Sequence, residues 1–320
     1  MKILANDGVS QSGVKKLEEA GFEVIQTKVA QNQLENYLNE NDIRIILVRS
    51  ATEIRKDLID ACNLQLIGRG GVGLDNIDVN YALEKGISVI NTPAASSRSV
   101  AELVFAHLFG GVRFLHQANR EMPLEGEANF KKLKKGFKGR ELKGKTLGIL
   151  GFGKIGREVA KIALGIGMKV VINDNNTEEN EEVPLELEFA GNQKIKVNVK
   201  SVSKENLLRT ADFVSLHVPA QKDYVIGAEE IKIMKKSAGL INAARGGVVD
   251  EVALDIALDE RRLSFAALDV FSAEPKPPVK LLMNPDISLS PHIGGSTDEA
   301  QERIGVELAD QIIAKFGKQK

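Results

Sequence analysis

Gly151-Phe152-Gly153-Lys154-Ile155-Gly156 forms a GxGxxG run, a weak pattern on its own. Here it follows an apolar segment, Thr146–Leu150, that reads as a strand, and it opens a segment of helical period. Asp174 lies 23 positions after Gly151, at the end of the next apolar run. In that setting Gly151 permits a tight turn, Gly153 lets a pyrophosphate approach the backbone, and Gly156 lets helix and strand pack closely. The N-terminus of the helix adds free N–H donors and a positive dipole end, which favour an anion. Asp174 can accept hydrogen bonds from an adenosine ribose, and its charge would repel a 2′-phosphate. Asn173, Asn175 and Asn176 supply no cation to reverse that. The expected cofactor is therefore NAD rather than NADP.

Three later segments carry a polar residue just beyond an apolar run: Asn242-Ala243-Ala244-Arg245-Gly246-Gly247, Leu268-Asp269-Val270-Phe271-Ser272-Ala273-Glu274-Pro275, and Ser290-Pro291-His292-Ile293-Gly294-Gly295-Ser296. Such positions are the strand ends at which open α/β sheets bind ligands. Arg245, Glu274 and His292 are the candidates for catalysis. No group of residues has the spacing of a metal site.

These residues need strands to carry them. Lys2–Ala5, Glu23–Gln26, Ile43–Val48, Leu64–Ile67 and Ile87–Ile90 read as strands of a first α/β series. Ser10–Ala20 reads as a helix between the first two. Several of these runs are continuously apolar instead of alternating, as in parallel strands buried on both faces. Val100, Leu103, Val104, Leu108 and Leu115 recur at helical spacing and predict one long helix from Ser99 to about Ala118. Glu121–Lys145 is polar and reads as a linker plus a solvated helix. A second series follows, with strands at Thr146–Leu150, Lys169–Ile172, Phe213–His217, Gly239–Asn242 and Phe265–Leu268, and a helix from Ile155 to Gly165. The acidic tract Thr177–Glu182 reads as an exposed loop. After it, Leu185, Leu187 and Phe189, then Ile195, Val197 and Val199, alternate with Glu and with Lys or Asn around Ala190-Gly191-Asn192-Gln193. That pattern predicts a two-stranded hairpin at a sheet edge. An amphipathic helix from Thr297 to about Phe316 comes last. The fold class expected is α/β, with two parallel-sheet domains.

Length and charge agree with this. A chain of 320 residues favours about two domains. Its 43 Lys and Arg nearly cancel 44 Asp and Glu, so it lacks the basic excess with which nucleic-acid binders neutralise phosphates. The single cysteine, Cys62, cannot form an internal disulfide. The apolar run at Met1–Ala5 is too short for a signal peptide, and no stretch approaches the ~18 apolar residues that span a bilayer. A cytoplasmic enzyme without nucleic-acid or membrane partners is expected.

Together with Gly70-Gly71-Val72-Gly73-Leu74-Asp75-Asn76-Ile77-Asp78 and Leu216-His217-Val218-Pro219, the motifs run in the order of a known family. Over nearly its whole length the chain resembles the D-isomer-specific 2-hydroxyacid dehydrogenases, most of all their phosphoglycerate branch. The resemblance implies two Rossmann-like or flavodoxin-like domains, the dinucleotide domain (99–288) being inserted into a substrate-binding domain (1–98 and 289–320). It also implies a homodimer formed mainly through the dinucleotide domains. His292 would exchange the substrate's hydroxyl proton, Glu274 would hold the imidazole, and Arg245 would bind the substrate carboxylate. Cofactor contacts are implied at Gly151, Gly153, Lys154, Ile155, Gly156, Asp174, His217, Pro219, Ala243, Arg245, Asp269, His292 and Gly294, with Asp269 on the nicotinamide carboxamide. Substrate contacts are implied at Arg49, Ser50, Arg69, Gly71, Val72, Arg245 and His292, with Arg49 facing a phosphate and Arg69 lying where a second cation could help.

The chain departs from the family's pattern after Pro93, where Ala95 and Ser96 replace the usual Gly-Asn pair. It also ends before the serine-binding domain of many longer relatives, so no serine feedback by that route is expected. The reading that follows is NAD-dependent oxidation of 3-phosphoglycerate in serine biosynthesis. A reductase for hydroxypyruvate, glyoxylate or another 2-oxo acid, and an NAD-sensing corepressor-like protein, are the alternatives.

Overall fold

A computed structural model describes residues 1–187 and 193–318. The chain divides into two compact units, Met1–Ser99 with Gly295–Lys320, and Val100–Gly294. In sequence, the second unit is inserted into the first.

The first unit opens with β1 (Lys2–Ala5), α1 (Gln11–Glu19), β2 (Glu23–Ile25), α2 (Leu34–Glu40), β3 (Ile43–Val48), α3 (Lys56–Ala61), β4 (Leu66–Arg69), α4 (Val79–Glu84) and β5 (Ser88–Asn91). The strands form one parallel sheet in the order β2-β1-β3-β4-β5, the flavodoxin-like winding. The continuous apolar runs fill both faces. Leu4, Ile46, Val48 and Ile67 pack on one side, and Ile3, Ile45, Leu47 and Leu66 on the other.

The second unit holds most of α5 (Ser97–Val112), then α6 (Leu115–Gly136), β6 (Thr146–Leu150), α7 (Lys154–Gly165), β7 (Lys169–Asn173), β8 (Asn180–Leu187), β9 (Gln193–Ser201) and α8 (Lys204–Thr210). It continues with β10 (Phe213–Leu216), α9 (Ala228–Ile233), β11 (Gly239–Asn242), α10 (Glu251–Asp259), β12 (Phe265–Leu268), α11 (Val279–Met283) and β13 (Ile287–Leu289). The sheet order is β13-β12-β11-β10-β6-β7-β9-β8, parallel except for β8. The strand that leads into the glycine turn, β6, thus lies centrally, flanked by β10 and β7.

The last helix, α12 (Asp298–Phe316), returns the chain to the first unit. Thr297 caps it by accepting the Ala300 N–H. It crosses α1 so closely that a Cβ on Gly13 would lie 2.6 Å from the Gly305 carbonyl oxygen. Ala309 and Ile312 join the cluster of Ile3 and Leu17.

Three expectations need correcting, and one strand has no counterpart among them. The single helix over 99–118 is two helices, α5 and α6, separated at Phe114, whose φ is 57°. The stop is tertiary: Arg140 N–H donates to the Val112 carbonyl at 3.0 Å, and Phe114 stacks on Phe137. Glu121–Lys145 is less a linker than the body of α6, which runs to Gly136. The acidic tract is not wholly loop, since Asn180–Glu182 begin β8, where Arg157 pairs with Glu181 at 2.8 Å and Lys196 with Glu182 at 2.9 Å. Finally, the three-residue strand β13 lacks a run long enough to read. The hairpin forms as expected, with β8 at the sheet edge, while Phe189 and Ala190-Gly191-Asn192 lie outside the described residues.

Candidate active site

The glycine turn sits between β6 and α7. Gly151 has φ 91°, a conformation that L side chains rarely adopt, and its Cβ would fall 2.5 Å from the His217 carbonyl oxygen. A Cβ on Gly156 would come closer than 3.0 Å to the Gly151 carbonyl oxygen, so helix and turn touch there. Gly153, at the N-cap of α7, has nothing within 4 Å of where a Cβ would stand. That opening, at a helix end of free N–H groups, fits the pyrophosphate of a dinucleotide. Asp174 reaches back from the end of β7: one carboxylate oxygen accepts the Phe152 N–H at 2.7 Å, the other the Asn176 N–H at 2.8 Å. Each oxygen keeps a lone pair for a ribose hydroxyl. Lys154 and Pro219 are exposed, Ile155 is half-buried and Ala243 is buried.

His217 follows β10. Its Nε2 bonds the Ser215 hydroxyl at 2.8 Å, and burial pushes the imidazole down to about 3, so it stays neutral beside the glycine turn.

Glu274 and His292 are brought together across 18 residues, with His292 Nδ1 at 2.8 Å from Glu274 Oε2. The other carboxylate oxygen of Glu274 accepts the Phe271 N–H at 2.9 Å, which fixes its direction. Because an ionised carboxylate only accepts, Nδ1 of a neutral His292 ring carries the hydrogen and Nε2 is left as the basic atom. His292 has φ 55°, and its N–H donates to the Asp269 carbonyl at 2.8 Å. Asp269, 1% exposed, spends its carboxylate on the same turn: Oδ1 accepts from the Ser290 hydroxyl at 2.6 Å and the Ile293 N–H at 2.8 Å, and Oδ2 from the Gly294 N–H at 2.9 Å. One lone pair of Oδ2 is left for a carboxamide. Arg245 stands on a loop tied by Asn242, which donates to the Arg245 carbonyl and accepts the Ala244 N–H. Its Nη1 donates to the Ala244 carbonyl at 2.7 Å.

Arg49, Ser50, Arg69, Gly71 and Val72 belong to the first unit. Val48 and Arg69 are register partners on β3 and β4, so Arg49 and Arg69 leave neighbouring strand ends. The Arg69 guanidinium lies against Gly71, where a Cβ would meet it. Ser50 is exposed.

Two supports in this unit escape a reading of the sequence. Asp7 accepts the Arg49 N–H at 2.7 Å and both the N–H and the hydroxyl of Thr52, and it pairs with Lys28. Burial alone would raise its carboxyl, but these donors hold it below the ordinary 3.8. Asn76 donates to the carbonyls of Arg49 and Thr52 at 2.7 and 2.6 Å. Asp7 lies in the turn just past β1 and Asn76 within the Gly70–Asp78 motif, which is the one local signal either had.

Among the described residues no group of three or more His, Cys, Asp or Glu could hold a metal, and no helix is long and apolar enough to cross a membrane.

Comparison with known proteins completes the picture. Residues 105–294 match the model of the D-isomer specific 2-hydroxyacid dehydrogenase, NAD binding domain. The chain is 40% identical over 316 residues to a D-3-phosphoglycerate dehydrogenase of Methanocaldococcus jannaschii, aligning 98% of this chain but 57% of that protein. Little more than half the length of such relatives is thus spanned. It is 39% identical to a hydroxypyruvate reductase of Thermotoga maritima, over 99% of this chain and 98% of that one. A D-lactate dehydrogenase of Aquifex aeolicus, solved with NAD and lactic acid, superposes with a TM-score of 0.74 at 31% identity, covering 98% and 95% of the two chains. On these matches the chain belongs to the D-isomer-specific 2-hydroxyacid dehydrogenase family, with an NAD-binding domain in its second unit.

Proposed function

We propose that the protein is an NAD-dependent dehydrogenase that oxidises 3-phosphoglycerate to 3-phosphohydroxypyruvate. The observation that carries the chemistry is the His292–Glu274 pair at 2.8 Å on a turn held by Asp269. His292 Nε2 takes the hydroxyl proton during oxidation and returns it during reduction. Glu274 keeps Nδ1 protonated and stabilises the imidazolium. Arg245 binds the substrate carboxylate and orients the reacting carbon. Bound NAD supplies the hydride acceptor. The neighbouring cations Arg49 and Arg69 support a phosphorylated substrate, because a guanidinium matches phosphate geometry. Exposed Leu115, Leu124 and Phe130 on α6 support a homodimer built through the second unit.

A second reading, reduction of hydroxypyruvate, is favoured by the full-length match to the Thermotoga maritima enzyme. NADH oxidation by purified protein separates the two, with 3-phosphohydroxypyruvate beside hydroxypyruvate, glyoxylate, pyruvate and 2-oxoglutarate. The phosphoglycerate reading expects preference for the phosphorylated acid, and in Arg49→Ala a loss of about tenfold or more in kcat/KM for that substrate alone, as for one charge-assisted bond. Preference for hydroxypyruvate with Arg49→Ala silent would move the protein to the second reading.

A further inference from the structure

His107 is a histidine that neither the glycine motif nor the candidate catalytic residues account for. It lies on α5, 6% exposed, with both ring nitrogens engaged: Nδ1 at 2.8 Å from the Ser288 hydroxyl and Nε2 at 2.8 Å from the Ser290 hydroxyl. Ser288 and Ser290 are themselves 8% and 9% exposed, on β13 and just past it.

The direction of every bond in this group follows from its last member. The Asp269 carboxylate can only accept, so the single hydroxyl hydrogen of Ser290 goes to Asp269 Oδ1 at 2.6 Å. Ser290 must then accept from His107, which places the ring hydrogen on Nε2. Burial lowers the imidazole below its ordinary 6.5, keeping it neutral, so Nδ1 accepts from Ser288. A one-way chain results, Ser288 to His107 to Ser290 to Asp269. It ends on the carboxylate that receives the Ile293 and Gly294 N–H groups and on the residue whose carbonyl receives the His292 N–H.

We propose that His107 is a positioning residue for His292: through Ser290 it fixes the Asp269 carboxylate, and so the turn that holds the imidazole at a positive φ against Glu274. A helix on one side of the sheet is thereby stapled to the loop that does the chemistry. The inference rests on His292 being the base. Displacing a reacting group by about 1 Å can cost about a hundredfold in rate, so loosening this turn is read in kcat.

The test uses the full chain with the best substrate of the panel above, measuring kcat, KM, the NADH dissociation constant and the melting temperature. His107→Leu keeps the bulk and removes both bonds. Its kcat should fall about tenfold, and NADH affinity by clearly less than that, since the Asp269 carboxylate is only one of many groups assigned to the cofactor. His107→Gln, which keeps one donor and one acceptor, should recover most of that loss. Ser290→Ala should lower kcat at least as far, and the double variant should be no slower than Ser290→Ala alone, because both break one chain. Parental kcat in His107→Leu, or additive losses in the double variant, would overturn the proposal. Should His107→Leu not fold, parental kcat in Ser290→Ala overturns it equally. A fully active His292→Ala would instead remove the reading beneath it, whereas an inactive His292→Ala beside a fully active His107→Leu removes the proposal alone.

Discussion

Two glycine-to-alanine substitutions three residues apart should behave in opposite ways. At Gly156 the added methyl would lie closer than 3.0 Å to the Gly151 carbonyl oxygen, a backbone atom that cannot rotate aside. Against a backbone atom this close, overpacking falls in the upper part of its range, roughly 2–3 kcal/mol, and alanine's advantage over glycine within a helix offsets about 1 of that. The net loss, about 1–2 kcal/mol, corresponds to a fall of roughly 2–8 °C in the melting temperature of a unit this size. At Gly153 the methyl meets nothing within 4 Å, and the backbone is extended with a negative φ, −73°. Gains of about 0.4–1 kcal/mol from a stiffer unfolded chain and about 0.5–1 kcal/mol lost at the N-cap nearly cancel, so the melting temperature should stay within about 2 °C. That methyl, however, would fill the opening in which the pyrophosphate is proposed to meet the N–H groups. Losing one charge-assisted bond of about 1.5–3 kcal/mol weakens NADH binding by about tenfold to a hundredfold. Thermal melts of the unliganded variants and fluorescence titrations with NADH read the two effects separately. A Gly153→Ala variant that binds NADH within about twofold of the parent would refute this account of the turn, as would a Gly156→Ala variant that melts with the parent.

Two further outcomes follow from charge. Asp174→Ala removes the carboxylate that accepts the Phe152 and Asn176 N–H groups, so NADH should bind more weakly and the preference over NADPH should narrow by about tenfold, read by parallel titrations. Asp7 has a folded pKa below 3.8, so its contribution to stability is complete above that value and disappears as pH falls through the lower folded one. Asp7→Asn should therefore melt lower than the parent at about pH 7, and the gap should narrow as the pH falls below 3.8. A gap that persists undiminished in acid would contradict the assignment.

The parallel strands were legible because burial on both faces makes them unbroken apolar runs, as in Ile43–Val48. Elements defined by distant partners were not. The end of α5 depends on Arg140, 28 residues on, and the start of β8 is an edge where charged Glu181 and Glu182 face lysine and arginine instead of a core. The site shows the same division. Gly151, Gly153, Gly156 and Asp174 declare themselves by local spacing, since turn, helix and strand are contiguous. The supports of the candidate site residues are contacts over long separations, Asp7 with Arg49 and His107 with Ser290, and sequence proximity carries no trace of them.

The central claim is that His292, held by Glu274, moves the proton that accompanies hydride transfer. Steady-state NADH oxidation by His292→Ala, beside an NADH titration of the same preparation, tests it most directly. The account predicts that turnover falls by about a hundredfold or more while the NADH dissociation constant stays within about twofold, as for loss of a general base that is only one of many groups at the cofactor. Turnover at the parent's rate, or loss of NADH binding in a variant that melts with the parent, would contradict it.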